Sequence, residues 1–307
     1  MSTFDGCVSE FPDIRIDFFR AHAGTPPPLA CFLSHVHSDH LAGLESLRSP
    51  FVYCSGGTRE ILLRLERYPC RINYAQGILE TRQQTYKHLS KVLKPLPLET
   101  STVIELQPGH RIRVTLFDAN HCPGSVMFLI EGDGKAVLYT GDVRCEPWFV
   151  NSLARNPLVL EYASGIKTLD KIYLDTSFTS DVVFQTKSQG IEELLRKIAK
   201  YPTDTVFHFQ AWTYGYEDVW VALSKALDSP VRCLTTETNV RLHSCEKGNM
   251  CSAARDPAVV SIRPVIAHLP DGSDLVEAGI GGGGDDLERE AELAFPFQED
   301  LGALIEL

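Results

Sequence analysis

From Phe32 to Gly43 the chain reads Phe-Leu-Ser-His-Val-His-Ser-Asp-His-Leu-Ala-Gly, placing three imidazoles and a carboxylate (His35, His37, Asp39 and His40) within six residues. Neutral imidazole and carboxylate are ligands for zinc-like divalent metals, and four of them in so short a run suit two adjacent ions. The apolar stretch Leu29–Leu33 just before them predicts an extended strand. Side chains alternate along an extended segment, so His35 and His37 project to one side. Asp39 and His40 come after a sharp turn into a helix, where they can face a second ion beside the first. Two further candidates stand where predicted strands run out into loops: His121 in Asn120-His-Cys-Pro-Gly-Ser125, and Asp142 after Gly141. A last constellation is His243-Ser-Cys245 with Cys251 downstream and Cys233 upstream, a His/Cys set whose chemistry suits a closed structural zinc. Packed structural thiols are the alternative.

These groups need elements to position them. Residues 12–19 alternate apolar and polar as a strand would, with Asp17 near the end. Val52–Cys54 is a short strand, and Ser55-Gly-Gly-Thr58 offers an N-cap for a helix over Arg59–Arg67. Residues 76–94 predict an amphipathic helix with Ile78, Leu79, Tyr86, Leu89 and Leu93 as its buried stripe. That leaves Arg82, Lys87, Lys91 and Lys94 as a solvated face, or one that touches phosphate. Thr102–Leu106 and Arg111–Asp118 read as strands, and Val126–Glu131 with Ala136–Thr140 as a hairpin about Gly132-Asp-Gly134. Lys171–Asp175 is another strand ending in a carboxylate. Beyond it, Gly190–Lys200 and Glu217–Leu227 read as helices, and Val206–Phe209 and Val259–Arg263 as strands, which argues for a second α/β layer. Gly279–Gly284 reads as a flexible linker into an acidic stretch, Asp285–Glu292.

With 44% hydrophobic and 22% charged residues, the 307-residue chain can bury a sizeable core as two domains or one large α/β unit. No apolar run approaches the roughly 20 residues of a membrane span. The start lacks a basic region and a long apolar run, and the nine cysteines are scattered. A soluble protein of a reducing, intracellular compartment is expected. The net charge of −11 looks wrong for a nucleic-acid binder, but residues 271–307 carry −10 of it. The body is near neutral, so phosphate contacts depend on local patches.

Taken together, Asp17, the His35/His37/Asp39/His40 cluster, His121 and Asp142 resemble the metallo-β-lactamase fold, an αββα sandwich with its metal site along one edge. Phe117-Asp-Ala-Asn-His-Cys-Pro-Gly-Ser-Val-Met-Phe128, Leu138-Tyr-Thr-Gly-Asp-Val-Arg144 and Tyr173-Leu-Asp-Thr-Ser-Phe178 are similar to the Artemis and DNA cross-link-repair nuclease family, as is Tyr214-Gly-Tyr-Glu217. The metal-binding region standing first in the chain favours the Artemis branch. The resemblance implies an inserted α/β cap domain, called β-CASP, and this division: 1–168 lactamase domain, 169–292 cap, 293–307 the start of a return segment. The chain then ends before the strands expected to complete the first sheet, and a truncated fold is the expectation.

The resemblance also implies roles. His35, His37 and His121 would bind a first metal, Asp39 and His40 would lean towards a second, and Asp142 would bridge them. Asp17 would orient a ligand imidazole. The ions, Zn2+ with Mn2+ or Mg2+ at the second position, would lower the pKa of bound water so that hydroxide attacks a phosphodiester, with Asp39 helping to deprotonate it. In the family the carboxylate matching Asp175 pairs with a histidine of a late motif, Pro-aromatic-Ser-x-His-Ser. This chain reads Pro296-Phe-Gln-Glu-Asp-Leu301, with Asp300 at the histidine position. Either Asp175 and Asp300 share a proton, or Asp300 belongs to the acidic end and replaces nothing. The family's cap also carries a His/Cys site whose core pair His243-x-Cys245 matches. The implied function is a nuclear DNA nuclease acting on ends, overhangs or hairpins in double-strand-break or cross-link repair, alongside end-joining or cross-link-repair proteins. The alternatives are an RNA-processing hydrolase of the same fold and a non-catalytic repair scaffold.

Overall fold

The computed structural model describes residues 4–67, 81, 83–177, 184–211, 214–232, 239–245, 251–268, 272, 274–278 and 286–289. The chain forms two compact units, Met1–Asn73 with Leu79–Ser177, and Tyr74–Ile78 with Phe178–Leu307.

In the first unit, β1 (Ile14–Ile16), β2 (Ala30–Phe32) and β3 (Val52–Ser55) are followed by helix α1 (Gly56–Arg64), the ribbon β4 (Glu66–Arg67) and β5 (Gln83–Gln84), and β6 (Leu93–Leu96). Strands β1, β2, β3 and β6 lie side by side in that order, all parallel. Next, β7 (Thr102–Gln107), β8 (His110–Asp118), β9 (Val126–Gly132) and β10 (Lys135–Tyr139) form an antiparallel meander. Helices α2 (Pro147–Ala154) and α3 (Pro157–Ala163) follow, and β11 (Lys171–Tyr173) adds to β10 in parallel.

Period-two alternation explains how the layers stack. Ile112, Val114 and Leu116 of β8 and Val126, Phe128 and Ile130 of β9 share one core with Ile14, Ile16, Ala30 and Phe32 of the parallel sheet. The intervening Phe117, Met127 and Leu129 point the other way and pack with Phe149, Leu153 and Val159 of α2 and α3. Phe32 meets Phe128 edge-on across the sandwich, ring centroids 5.4 Å apart. Burial of one such side chain contributes about 1.5–3 kcal/mol. Ser55 caps α1 by accepting from Thr58 N at 3.0 Å.

The second unit holds α4 (Lys187–Ile198), β12 (Phe207–Phe209), α5 (Glu217–Leu227), β13 (Leu242–His243) and β14 (Val260–Ile262). β12 lies between β13 and β14, parallel to both. Phe207, Phe209, Leu223, Leu227 and Leu242 make its core. Thr186 opens α4 with a reciprocal capping box with Gln189. A three-stranded antiparallel sheet, β15 (Val265–His268), β16 (Asp274–Ala278) and β17 (Asp286–Arg289), completes the described residues.

Several expectations are corrected. The helix expected over 76–94 lies partly outside the described residues. Within them the chain forms β5, a single 3-10 turn at Lys87–Lys91 and strand β6. Pro95 cannot sit inside a helix, and Leu93 and Leu96 bury as a strand against β3. Tyr86 and Leu89 are buried all the same, because a 3-10 turn brings residues three apart to one face, and Leu93 is buried through its strand pairing. α1 begins at Gly56 and ends at Arg64, three residues earlier than expected. The boundary drawn at 168/169 falls ahead of β11, whose pairing with β10 keeps residues 169–177 in the first unit. The acidic stretch 285–292 contains β17.

Candidate metal centre

The ends of β1 and β2, the β8–β9 loop and the end of β10 deliver the site. After β2 the chain runs extended through His37 and then makes a 3-10 turn, Ser38–Leu41, which swings Asp39 and His40 round. His35 Nε2 and His121 Nε2 each lie 3.0 Å from His37 Nδ1. Asp142 Oδ2 is 3.5 Å from His35 Nε2 and 3.6 Å from His121 Nε2. Its other oxygen, Oδ1, is 3.2 Å from His40 Nε2, which is 3.6 Å from Asp39 Oδ2. The ligand atoms of His35, His37, His121 and Asp142 all lie within 4.8 Å of one another. Sequence reading thus named six residues, and the fold brings all six together.

Asp17 lies beneath this cluster, 3% exposed and with φ +56°. Its Oδ1 accepts from Ser34 N at 2.7 Å, and its Oδ2 from Ser34 Oγ at 2.5 Å, His40 Nδ1 at 2.9 Å and Tyr139 Oη at 2.9 Å. Ser34 Oγ also reaches His35 Nδ1 at 2.9 Å. Close packing explains two glycines. A Cβ at Gly141 (φ +53°) would come within 3.0 Å of Ser34, and one at Gly124 (φ +83°) within 2.5 Å of Thr58 N. The Gly124 carbonyl is held by Ser55 Oγ at 2.6 Å and Thr58 Oγ1 at 2.8 Å, which ties the His121 loop to the start of α1.

Electrostatics fits the donor set to cations. Burial works against a charged His40 ring, but the Asp17 and Asp142 carboxylates outweigh it and hold its pKa well above the usual value. Burial and the neighbouring imidazoles of His35 and His37 push His121 well below. Burial alone would raise Asp142, yet its contacts with His35 and His40 keep it far below the ordinary carboxylate range. His40 Nε2 is buried without a hydrogen bond of good geometry, facing carboxylate oxygens. A divalent cation between these groups satisfies all of them at once.

Asp175 is not one of the clustered ligand groups. It accepts from Val143 N at 3.3 Å, next to Asp142, and from Ser177 N and Oγ at 2.9 and 2.7 Å. Asp300 lies outside the described residues.

In the second unit His243, Cys245 and Cys251 converge, each offering an atom within 4.8 Å of the others. His243 Nε2 donates to Val240 O at 3.0 Å, which leaves Nδ1 facing Cys251 Sγ at 3.3 Å. Cys233 lies outside the described residues. Sequence reading passed over His208, which pairs in register with His243 and is 1% exposed. Its Nε2 donates to Cys245 O at 3.1 Å, and its Nδ1 is buried without a hydrogen bond. Ser34 and Tyr139 were also missed, since a hydroxyl carries no ligand signature of its own.

A parallel sheet packed on an antiparallel one, with imidazoles and carboxylates gathered at the strand ends, is consistent with the metallo-β-lactamase fold. The family model for the Anti-Pycsar protein Apyc1 matches residues 26–163. Protein artemis of Homo sapiens is 32% identical over 280 residues, covering 80% of this chain and 37% of that protein. Protein artemis of Pongo abelii gives the same figures. The 5′ exonuclease Apollo of Gallus gallus is 30% identical over 289 residues, covering 87% of this chain and 55% of that protein. Over the span it shares with them, the chain belongs to the Artemis and Apollo family, and it corresponds to between 37% and 55% of the length of these relatives.

Proposed function

We propose that the chain is a metal-dependent nuclease that hydrolyses DNA phosphodiesters at ends, overhangs or hairpins, in nuclear double-strand-break or cross-link repair. The observation that carries this reading is the convergence of His35, His37, His121, Asp39, His40 and Asp142 in one cluster. His35, His37 and His121 would hold one cation and Asp39 and His40 a second, with the two oxygens of Asp142 turned to either side. When bound, zinc, or manganese or magnesium at the second position, supplies Lewis-acid activation of water and neutralises charge on the phosphate. Asp39 would take the proton from the attacking water, and Asp17 would keep the His40 ring in a ligating orientation. Asp175 would serve the leaving-group side, and Asp300, at the family's late-histidine position, lies outside the described residues.

The second unit is proposed as the β-CASP cap, supported by its parallel sheet flanked by α4 and α5. Its His243, Cys245 and Cys251 would hold a structural zinc, with His208 as the adjacent fourth donor. End-joining or cross-link-repair proteins are the proposed partners. No helix among the described residues is long and apolar enough to cross a membrane.

The test is cleavage of 5′-phosphorylated single-stranded and hairpin DNA, beside RNA strands of matched sequence, by the wild type and by Asp39→Ala. DNA cleavage by the wild type that disappears in Asp39→Ala is the expected result. Equal cleavage by both would assign the activity to another site, and DNA binding without hydrolysis in zinc or manganese would make the chain a scaffold.

A further inference from the structure

We infer that Ser34 and Tyr139 are positioning residues of the metal centre. Acting through Asp17, they fix which nitrogen of His35 and His40 carries the proton, so that both rings present Nε2 to the cations. The inference rests on the reading of this cluster as a metal site and goes beyond it by assigning two residues outside the ligand set.

The argument is proton bookkeeping. An ionised carboxylate only accepts, so all four hydrogen bonds at Asp17 are donated to it. The Ser34 hydroxyl has one proton and lies 2.5 Å from Asp17 Oδ2, against 2.9 Å from His35 Nδ1. With that proton committed to Asp17, Ser34 Oγ can only accept at His35, so Nδ1 of that ring carries the hydrogen. The lone pair of neutral His35 is then on Nε2, the atom turned towards His37 and Asp142. His40 Nδ1 donates to the same Oδ2 directly, which leaves its Nε2 towards Asp142 and Asp39. One carboxylate therefore sets two rings, one by contact and one through a hydroxyl.

Tyr139 provides the support from the opposite sheet. It is 4% exposed at the end of β10, and its hydroxyl donates to Oδ2 at 2.9 Å. Asp17 directly follows β1 of the parallel sheet and sits at φ +56°, a conformation that Asp adopts more readily than most residues but that still needs surrounding contacts to hold it. The tyrosine bond stops the carboxylate from turning and keeps Oδ2 facing Ser34 and His40.

The experiment measures zinc affinity by competition with a chromophoric chelator, together with imidazole 15N shifts and chelator-treated thermal melts. It compares the wild type with Ser34→Ala, Ser34→Thr and the near-isosteric Tyr139→Phe. Partners that orient metal-binding histidines are typically worth 10- to 100-fold in affinity. Ser34→Ala should therefore weaken zinc binding by about 10- to 100-fold and give His35 a mixture of tautomers, and Ser34→Thr should restore both. Tyr139→Phe should cost about 10-fold with little change in the melt of the metal-free protein. Unchanged affinity and an unchanged His35 tautomer in Ser34→Ala would overturn the inference while the metal reading stands. So would a loss of affinity matched by an equal loss of metal-free stability with the tautomer intact. A wild type that binds no zinc would remove the metal reading, and this inference with it.

Discussion

The two clusters of metal-type ligands differ in chemistry and in openness. In the first unit four imidazoles meet two carboxylates, and the Asp142 and His121 side chains are 23% and 27% exposed. In the second unit an imidazole that is 1% exposed meets two thiols and, among the described residues, no carboxylate. Thiolate and imidazole make closed tetrahedral sites that hold a fold together, whereas carboxylates and solvent access leave positions for water and substrate. The orienting partners differ too. A backbone carbonyl, that of Val240, fixes His243, while a buried carboxylate, Asp17, sets His40. On the proposed reading, the same side-chain type would serve structure in one place and reaction in the other.

The sharpest way to break this contrast is Asp142→Ala. It should lower DNA cleavage by about 10³-fold or more, equivalent to roughly 4 kcal/mol of barrier, while the melting curve moves little. A variant that kept its activity in a steady-state nuclease assay would put the reactive centre elsewhere. Cys245→Ser should do the reverse. A loss of about 3 kcal/mol of stability is expected from the second unit, read as an earlier denaturant transition and one fewer zinc per chain by elemental analysis. Unaltered zinc content would return these thiols to ordinary packing.

Gly124→Ala should cost about 2 kcal/mol, because its φ of +83° and the nearby Thr58 amide leave no room for a methyl group. It should also reduce activity by displacing His121. Urea unfolding together with an activity assay checks both.

Glu10→Gln gives the smallest effect. Burial alone would raise the Glu10 carboxyl, but bonds from Tyr173, Ser9 and Lys171 outweigh it and hold it at about 2 against an ordinary value of 4.5. A depressed folded-state value stabilises fully above pH 4.5, and that contribution is lost as pH falls towards 2. Glu10→Gln should therefore lose about 1 kcal/mol at neutral pH and show a flatter stability profile between those limits. Identical profiles for the two proteins would show that the bond network at Tyr173 contributes nothing.

The clustering of these side chains was legible because ligand-type residues are scarce and six of them fall in three short motifs. Strand β8 was legible from the alternation over Arg111–Thr115, and β9 and β10 from two apolar runs joined by Gly132-Asp-Gly134, although which of their residues face which core was not. Residues 83–94 misled because a 3-10 turn and a helix both repeat apolar residues at spacing three. Strand β11 went to the wrong unit because three residues carry no pattern that names their partner strand. Ser34, Tyr139 and His208 were invisible for a related reason: their importance comes from neighbours 17, 122 and 37 residues away in the chain.

The residues proposed to grip the cations are drawn from both layers of the sandwich. His35, His37 and His40 follow β2 of the parallel sheet, and His121 and Asp142 lie in the β8–β9 loop and just after β10 of the meander. An ion bound here would act as a rivet through the seam, so any sliding of one sheet over the other would pull its ligands apart. Loading the pocket and keeping the halves in register would then be one event, and reactivity would vanish with the first slip between layers, well before either sheet unravels.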